Sequence, residues 1–328
     1  MQDLPAPRRL LWGTMRKLRF IPEGGSLVAV SQRCFQARYL LNPNRRVNIL
    51  LTGIVARAQQ LYDVQIIGVS ALSNHLHFLL WVHDARQLAR FMNHVAGNIA
   101  REVGRIRGWS GSFWGERYTA VLVDDEEAAQ AQQLSYLLEQ GCKEDLVATP
   151  RQWPGLHAAS AILSGRGLDG EWIDRTSCYR SQRRMEGELS SNQAFTTRVR
   201  IRLSKLPCWD HLEWEEYRDQ VRSLIREIEQ ITAQRHTNQG TRPLGRRAVL
   251  RQNPQHRPQR AKRSRTPLVH AASRAARLRV LEAYRAFVAR YRQAAKQLKQ
   301  GRLGVRFPPG SFPPALPFVA SRSCVPVT

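Results

Sequence analysis

Residues 64–82 read Val64-Gln65-Ile66-Ile67-Gly68-Val69-Ser70-Ala71-Leu72-Ser73-Asn74-His75-Leu76-His77-Phe78-Leu79-Leu80-Trp81-Val82. Two apolar runs, Val64–Val69 and His75–Val82, flank Ser70–Asn74, whose Ser and Asn are turn formers, so the stretch predicts two strands joined by a short connection. Side chains alternate along a strand, so His75 and His77 project from one face while Leu76, Phe78, Leu80 and Val82 project from the other. Upstream, Ser26–Ser31 is a strand candidate, and a helix from about Arg46 to Leu61 carries Ile49, Leu50, Ile54 and Ala58 at helical spacing. Downstream, Asp84 caps a helix with Leu88, Phe91, Met92, Val95, Ile99, Val103 and Ile106 on one face, ending before Gly108. A strand over Phe113–Val123 follows, and Asp124-Asp125-Glu126-Glu127 places acids at the positive end of a third helix running to about Gln140. This order predicts an α+β fold: a ferredoxin-like split βαβ antiparallel sheet with helices on one face.

The 328 residues hold 51 Lys+Arg against 26 Asp+Glu, a formal net charge of +25, with 42% hydrophobic residues. Such a composition excludes collagen-like and wholly disordered classes, and its charge points to a polyanionic partner, nucleic acid first. The excess is uneven: residues 230–328 carry 21 basic side chains and one acid, Glu282. Cys34, Cys142, Cys178, Cys208 and Cys324 have neither CxxC nor paired spacing, which predicts a reducing compartment. Leu10-Leu11-Trp12 is too short for a signal-peptide core, and Phe78–Val82 is far below the roughly 18 residues a membrane span needs, so a cytoplasmic, nucleoid-associated protein with no membrane partner is expected.

Beyond Pro150 the texture changes. Residues 158–205 give weak signals, and Glu213–Gln234 predicts an amphipathic helix with Trp214, Tyr217, Val221, Leu224, Ile225, Ile228 and Ile231 as its stripe. The segment from about His236 to Thr266 has the composition of a disordered basic arm, Ser273–Gln300 is helical again, and the last residues form a Pro-rich tail. Three parts are expected: residues 1–157 as a catalytic domain, 158–235 as a connecting region, and 236–328 as basic arm, helix and tail. The two C-terminal helices could pair with each other or form a homodimer.

Two imidazoles on one side of a sheet make a metal-binding edge, or equally two polar residues on a solvated face. Tyr136 and Gln140, four residues apart, share a helix face, with Tyr136 about 200° around from Leu134. A Tyr hydroxyl, with its ordinary pKa of ~10, needs help to act as a nucleophile. A divalent ion held by His75, His77 and the amide oxygen of Gln140 would supply it by polarising a phosphate oxygen. Trp114 suits the core of the sheet, whereas Arg117 and Tyr118 can meet unpaired bases or phosphate. In the arm, Arg246, Arg247 and Arg263 are candidates for salt-sensitive phosphate attraction.

The motifs Asn74-His75-Leu76-His77-Phe78-Leu79-Leu80, Phe113-Trp114-Gly115-Glu116-Arg117-Tyr118 and Tyr136-Leu137-Leu138-Glu139-Gln140, followed by Leu146-Val147 and Trp153-Pro154, resemble the single-tyrosine HUH transposases, and among these the REP-associated tyrosine transposases of bacteria. The likeness covers about residues 26–157. It implies that His75 and His77 are the paired metal ligands, Gln140 the third, and Tyr136 the nucleophile, with Mg²⁺ or Mn²⁺ as the ion. It also implies cleavage and rejoining of single-stranded, hairpin-associated DNA through a covalent 5′-phosphotyrosine, in transposition or recombination. The other function considered is a non-catalytic nucleic-acid-binding protein that keeps the transposase fold. On either reading the basic C-terminus is an auxiliary grip, and removing residues 230–328 is expected to weaken binding while leaving the chemistry at Tyr136 intact.

Overall fold

The computed structural model describes residues 18–184, 192–259 and 266–314. In chain order these form β1 (Ser26–Arg33), α1 (Arg45–Tyr62), β2 (Gln65–Ala71), β3 (His75–Val82), α2 (Ala85–Arg107), β4 (Thr119–Val123), α3 (Glu127–Leu138) and α4 (Gln140–Lys143). There follow α5 (Ala159–Ser164), β5 (Leu168–Ile173), α6 (Arg175–Arg184), β6 (Thr196–Ile201), α7 (Trp214–Gln239), α8 (Arg246–Arg251), β7 (Val269–His270) and α9 (Arg274–Lys299).

The main sheet has the order β2-β3-β1-β4-β7, and its first four strands pair antiparallel throughout, which is the ferredoxin-like arrangement. Two right-handed crossovers place α1 and α2 together on one face, where Phe91 of α2 meets the ring of Phe78 at 5.6 Å. Local chemistry sets the ends of both helices. Asn44 and Asp84 accept from the N–H groups of Val47 and Gln87, at 2.9 and 2.7 Å, while Asp63 and Gly108 close the helices in the left-handed conformation. The opposite face, the one bearing His75 and His77, is covered by α3, whose Leu134 and Leu137 lie over Gly68 of β2.

Both edges of the sheet are occupied. Residues 156–158 run along β2, with Ala71 N–H donating to Leu156 O at 2.8 Å and Ala158 N–H to Val69 O at 2.8 Å. At the other edge β7 pairs parallel with β4. The β5–β6 hairpin lies on the outer side of α1, where two glycines permit backbone contact. A Cβ on Gly53 would sit 1.8 Å from the carbonyl oxygen of Glu171, and one on Gly170 would sit 2.4 Å from Gly53 N.

Three expectations change. The strand expected over 113–123 is confined to Thr119–Val123, because Gly115 crosses the end of β1, donating to Arg33 O at 3.0 Å, while Trp114 bridges Cys34. The third helix stops at Leu138, and Gln140 opens a separate short helix. The basic segment expected to be disordered is built into the domain as far as residue 259. There α7 runs on to Gln239, Leu244 and Gly245 donate to the carbonyls of Asp145 and Leu146 at 2.8 and 2.9 Å, and Asn42 and Ser73 bond Gln252 at 2.6 and 3.0 Å. These are polar bonds, two of them backbone to backbone, between groups far apart in sequence, which apolar periodicity does not register.

Candidate active site

β3 carries the site. His75 and His77 stand two residues apart on one face, ring centroids 4.6 Å apart, paired in register with Arg33 and Ser31 of β1 and, for His77, with Ser70 of β2. Asn74 Oδ1 lies 2.6 Å from His75 Nδ1; an amide oxygen only accepts, so Nδ1 carries the proton and the Nε2 lone pair is left available. Burial pushes the His75 pKa down to about 4, helped by the charge of Arg33 and opposed by a hydrogen bond to Gln140. His77 is held well below its ordinary range by burial first, then by His75, Arg33 and Lys143. Both rings are therefore neutral at physiological pH, the form in which imidazole binds metal.

α3 brings the tyrosine to this face. The ring of Tyr136 meets His77 edge-on, with centroids 6.0 Å apart, and the residue is 40% exposed, so its hydroxyl is accessible from solvent. The turn between α3 and α4 aims Gln140 inward: its Nε2 donates to Tyr136 O at 2.7 Å, and the same side chain reaches His75. Gln140 thus ties the backbone of Tyr136 to the first imidazole. The sequence reading missed Lys143, whose ammonium sits 4.4 Å from the centre of the Tyr136 ring and pairs with Glu139 at 3.0 Å. Its signal was present: Lys143 lies two turns beyond Tyr136 at helical spacing.

The donor set fits a divalent ion. The Nε2 of His77 is buried and has no hydrogen-bond partner, an orphaned lone pair or proton that a bound ion would satisfy. His75 and Gln140 stand beside it. Two imidazoles and an amide oxygen could hold such an ion, and with no carboxylate among them would do so weakly and exchangeably. Among the described residues there is no cluster of three or more His, Cys, Asp or Glu that could hold a metal ion.

His75, His77, Tyr136 and Gln140 are thus brought together, and the other expected site residues lie elsewhere. Arg117 and Tyr118 line a cavity of about 420 Å³ at the β4 edge, where Arg19 stacks on the Tyr118 ring at 4.4 Å and Arg117 at 5.6 Å. Trp114 donates to Ala96 O of α2 at 2.9 Å, the packing role expected for it. Arg246 and Arg247 are exposed at the start of α8, set beside the end of α4 by the bond from Gly245 to Leu146. Arg263 lies outside the described residues.

A ferredoxin-like sheet thus bears two histidines on one face, and the helix laid across that face brings a tyrosine to them. Residues 34–140, about a third of the chain, match the family described as "Transposase IS200 like". Among solved structures it is similar to a REP-associated tyrosine transposase bound to a REP hairpin, at 13% identity and a TM-score of 0.35, covering 44% of this chain and 83% of that one. It is also similar to a putative transposase from Deinococcus radiodurans R1, at 18% identity and a TM-score of 0.27, covering 37% of this chain and 95% of that one. No curated protein matches the chain. Among the described residues, no helix is long and apolar enough to cross a membrane.

Proposed function

We propose that this protein cleaves and rejoins single-stranded, hairpin-associated DNA through a phosphotyrosine at Tyr136, as a transposase or a recombinase derived from one. The observation that carries this reading is the meeting of an accessible tyrosine with the buried, neutral imidazole of His77, whose Nε2 has no partner, beside Gln140, which links Tyr136 to His75. Tyr136 Oη attacks the phosphorus, a new O–P bond forms, and the bond from phosphorus to the 3′-oxygen breaks. The tyrosine's proton passes to solvent, and the departing 3′-oxygen takes one up from water. The products are a 5′-phosphotyrosine and a free 3′-OH, and because the phosphoester energy is conserved, a 3′-OH can reverse the step without ATP.

Mg²⁺ or Mn²⁺ held by His75, His77 and Gln140 would polarise the scissile phosphate as a Lewis acid. This chain's own residues supply the rest. Asn74 fixes the tautomer of His75, Gln140 holds the start of α4 against the imidazoles, and the Lys143 ammonium beside the ring favours the phenolate as it forms. Arg117, Tyr118, Arg246 and Arg247 are assigned to the strand on either side of the scissile bond. The test is adduct formation: purified protein, Mn²⁺ and a labelled hairpin oligonucleotide with single-stranded flanks should give a protein–DNA adduct resistant to denaturant. No adduct on any of a panel of hairpins, or full adduct yield from Tyr136→Phe, overturns the reading.

A further inference from the structure

The C-terminal helix α9 lies outside the family match and has no part in the chemistry above. It is 26 residues long and joined to the catalytic layer at its N-terminal end. Glu126, next to the first residue of α3, accepts from the N–H groups of Ala272 and Ser273 at 2.7 and 3.0 Å, and Arg279 pairs with Asp124 and Asp125 at 3.1 and 3.2 Å. Beside it, β7 completes the sheet edge against β4. The inner side of the helix is buried through Ala276, Phe287, Ala294 and Leu298, and the Phe20 ring packs on Phe287 at 5.1 Å.

The outer side carries most of the helix's charge. At about 100° per residue, Arg274, Arg277, Arg285, Arg292, Lys296 and Lys299 fall within an arc of about 100°, roughly 140° around from the buried side chains. All six are exposed, and among the described residues no carboxylate lies within ion-pair distance of any of them. Leu278, Leu281, Val288 and Ala295 lie between them in the arc, and Glu282, the one acid of the helix, lies about 40° beyond its edge. Solvated helix faces usually alternate signs, which relieves self-repulsion; six like charges on one face with no paired counter-charge leave that repulsion for a partner to neutralise.

We infer that this stripe is a docking surface for the phosphate backbone of duplex DNA, the stem that adjoins the single strand at Tyr136. The dimensions suit a duplex. From Arg274 to Lys299 the helix rises about 38 Å at 1.5 Å per residue, close to the roughly 34–36 Å turn of B-form DNA. Single strands are held on aromatic platforms, and the arc has none: Phe287 lies on the buried side, while Tyr284 and Tyr291, just beyond the arc, are engaged by Phe20 and by Phe312 O, to which the Tyr291 hydroxyl donates at 2.9 Å. A membrane surface fits worse, because an interfacial helix needs its apolar side free and here that side is packed against the protein. The anchor at Glu126 puts one end of the rod at the start of the helix that carries Tyr136, so a stem gripped along α9 leads toward the nucleophile. The choice of DNA as polyanion rests on the proposed function; the stripe itself does not.

The test uses the full chain with all six residues changed to Gln, which has a helix propensity near those of Arg and Lys. Binding is measured to a blunt 30-bp duplex and to an unstructured 30-nucleotide single strand between 50 and 200 mM salt. If six phosphates are met, the log–log salt slope for the duplex should fall by up to about five, equivalent to about a thousandfold in the salt-dependent part of affinity over that range. Changing only the four arginines to Lys should keep the slope. A fall of two or more on the duplex, with a smaller one on the single strand, supports the inference; a smaller fall, or equal loss on both, overturns it. Adduct formation on a stemless oligonucleotide reads Tyr136 separately, so failure of the proposed chemistry and failure of the stripe give different results.

Discussion

On β3 two imidazoles are buried, neutral and a few ångströms from a tyrosine; on α9 six cations are exposed, fully charged and spread over the length of a helix. Both are clusters of basic side chains, and side-chain type and burial together separate their chemistry. Desolvation holds His75 and His77 neutral with lone pairs, whereas the hydrated guanidinium and ammonium groups of α9 attract anions over a long, salt-dependent range. The comparison teaches that net charge says little about where a reaction would occur: on the proposed function the strongly basic part of the chain would grip, and the nearly balanced part would react.

Variants that act on one region and spare the other would sharpen this division. Tyr136→Phe should lower adduct formation at least about a thousandfold, the usual scale for loss of a nucleophile, while duplex affinity stays within twofold; parallel loss of both would break the separation. A second effect is on stability in acid. Burial lowers the His157 pKa from its ordinary 6.5 to about 4, so the unfolded chain binds this proton first as pH falls. The stabilisation is complete above pH 6.5 and lost between there and about pH 4, to a limit of about 3 kcal/mol. Melting temperature measured across that window should therefore drop, and His157→Gln should flatten the drop; an unchanged slope would remove His157 as its source. His77→Ala should reduce Mn²⁺-dependent cleavage about a hundredfold, as chelation of the metal would, again without loss of duplex binding. The smallest effect belongs to Lys143: Lys143→Ala should cost about tenfold in adduct rate with metal affinity unchanged, and Lys143→Arg should restore the rate. Equal loss in Lys143→Arg and Lys143→Ala would remove its charge as the cause.

The first half of the fold was legible because its signals are local. Asp84 and Gly108 mark helix ends, the alternation of His75–Val82 sets the two faces of β3, and the stripe from Leu88 to Val103 has the period of a helix. His75, His77, Tyr136 and Gln140 could be proposed because each motif lies within a few residues of chain. Arg33, Ser31 and Ser70 could not, since strand register, fixed only on folding, brings them to the imidazoles. The β5–β6 hairpin was missed for a related reason: Leu168–Ile173 and Thr196–Ile201 are short, mixed in polarity and separated by a long excursion. Lys143 was overlooked because the continuous helix expected through Gln140 gave no reason to look past its end.

Residues 244–252 reach the chain on both sides of the candidate site. They bond Asn42, just ahead of α1, and Ser73, just ahead of β3, as well as Asp145 and Leu146, just behind α4. The expectation that residues 230–328 could be removed without touching the chemistry therefore changes: removal would undo a stitch through the candidate site. It also sets a schedule. During synthesis Tyr136 is made about a hundred residues before the segment that ties its surroundings in place, so a nascent chain would hold His75, Tyr136 and Gln140 loosely until residues 244–252 have followed them out.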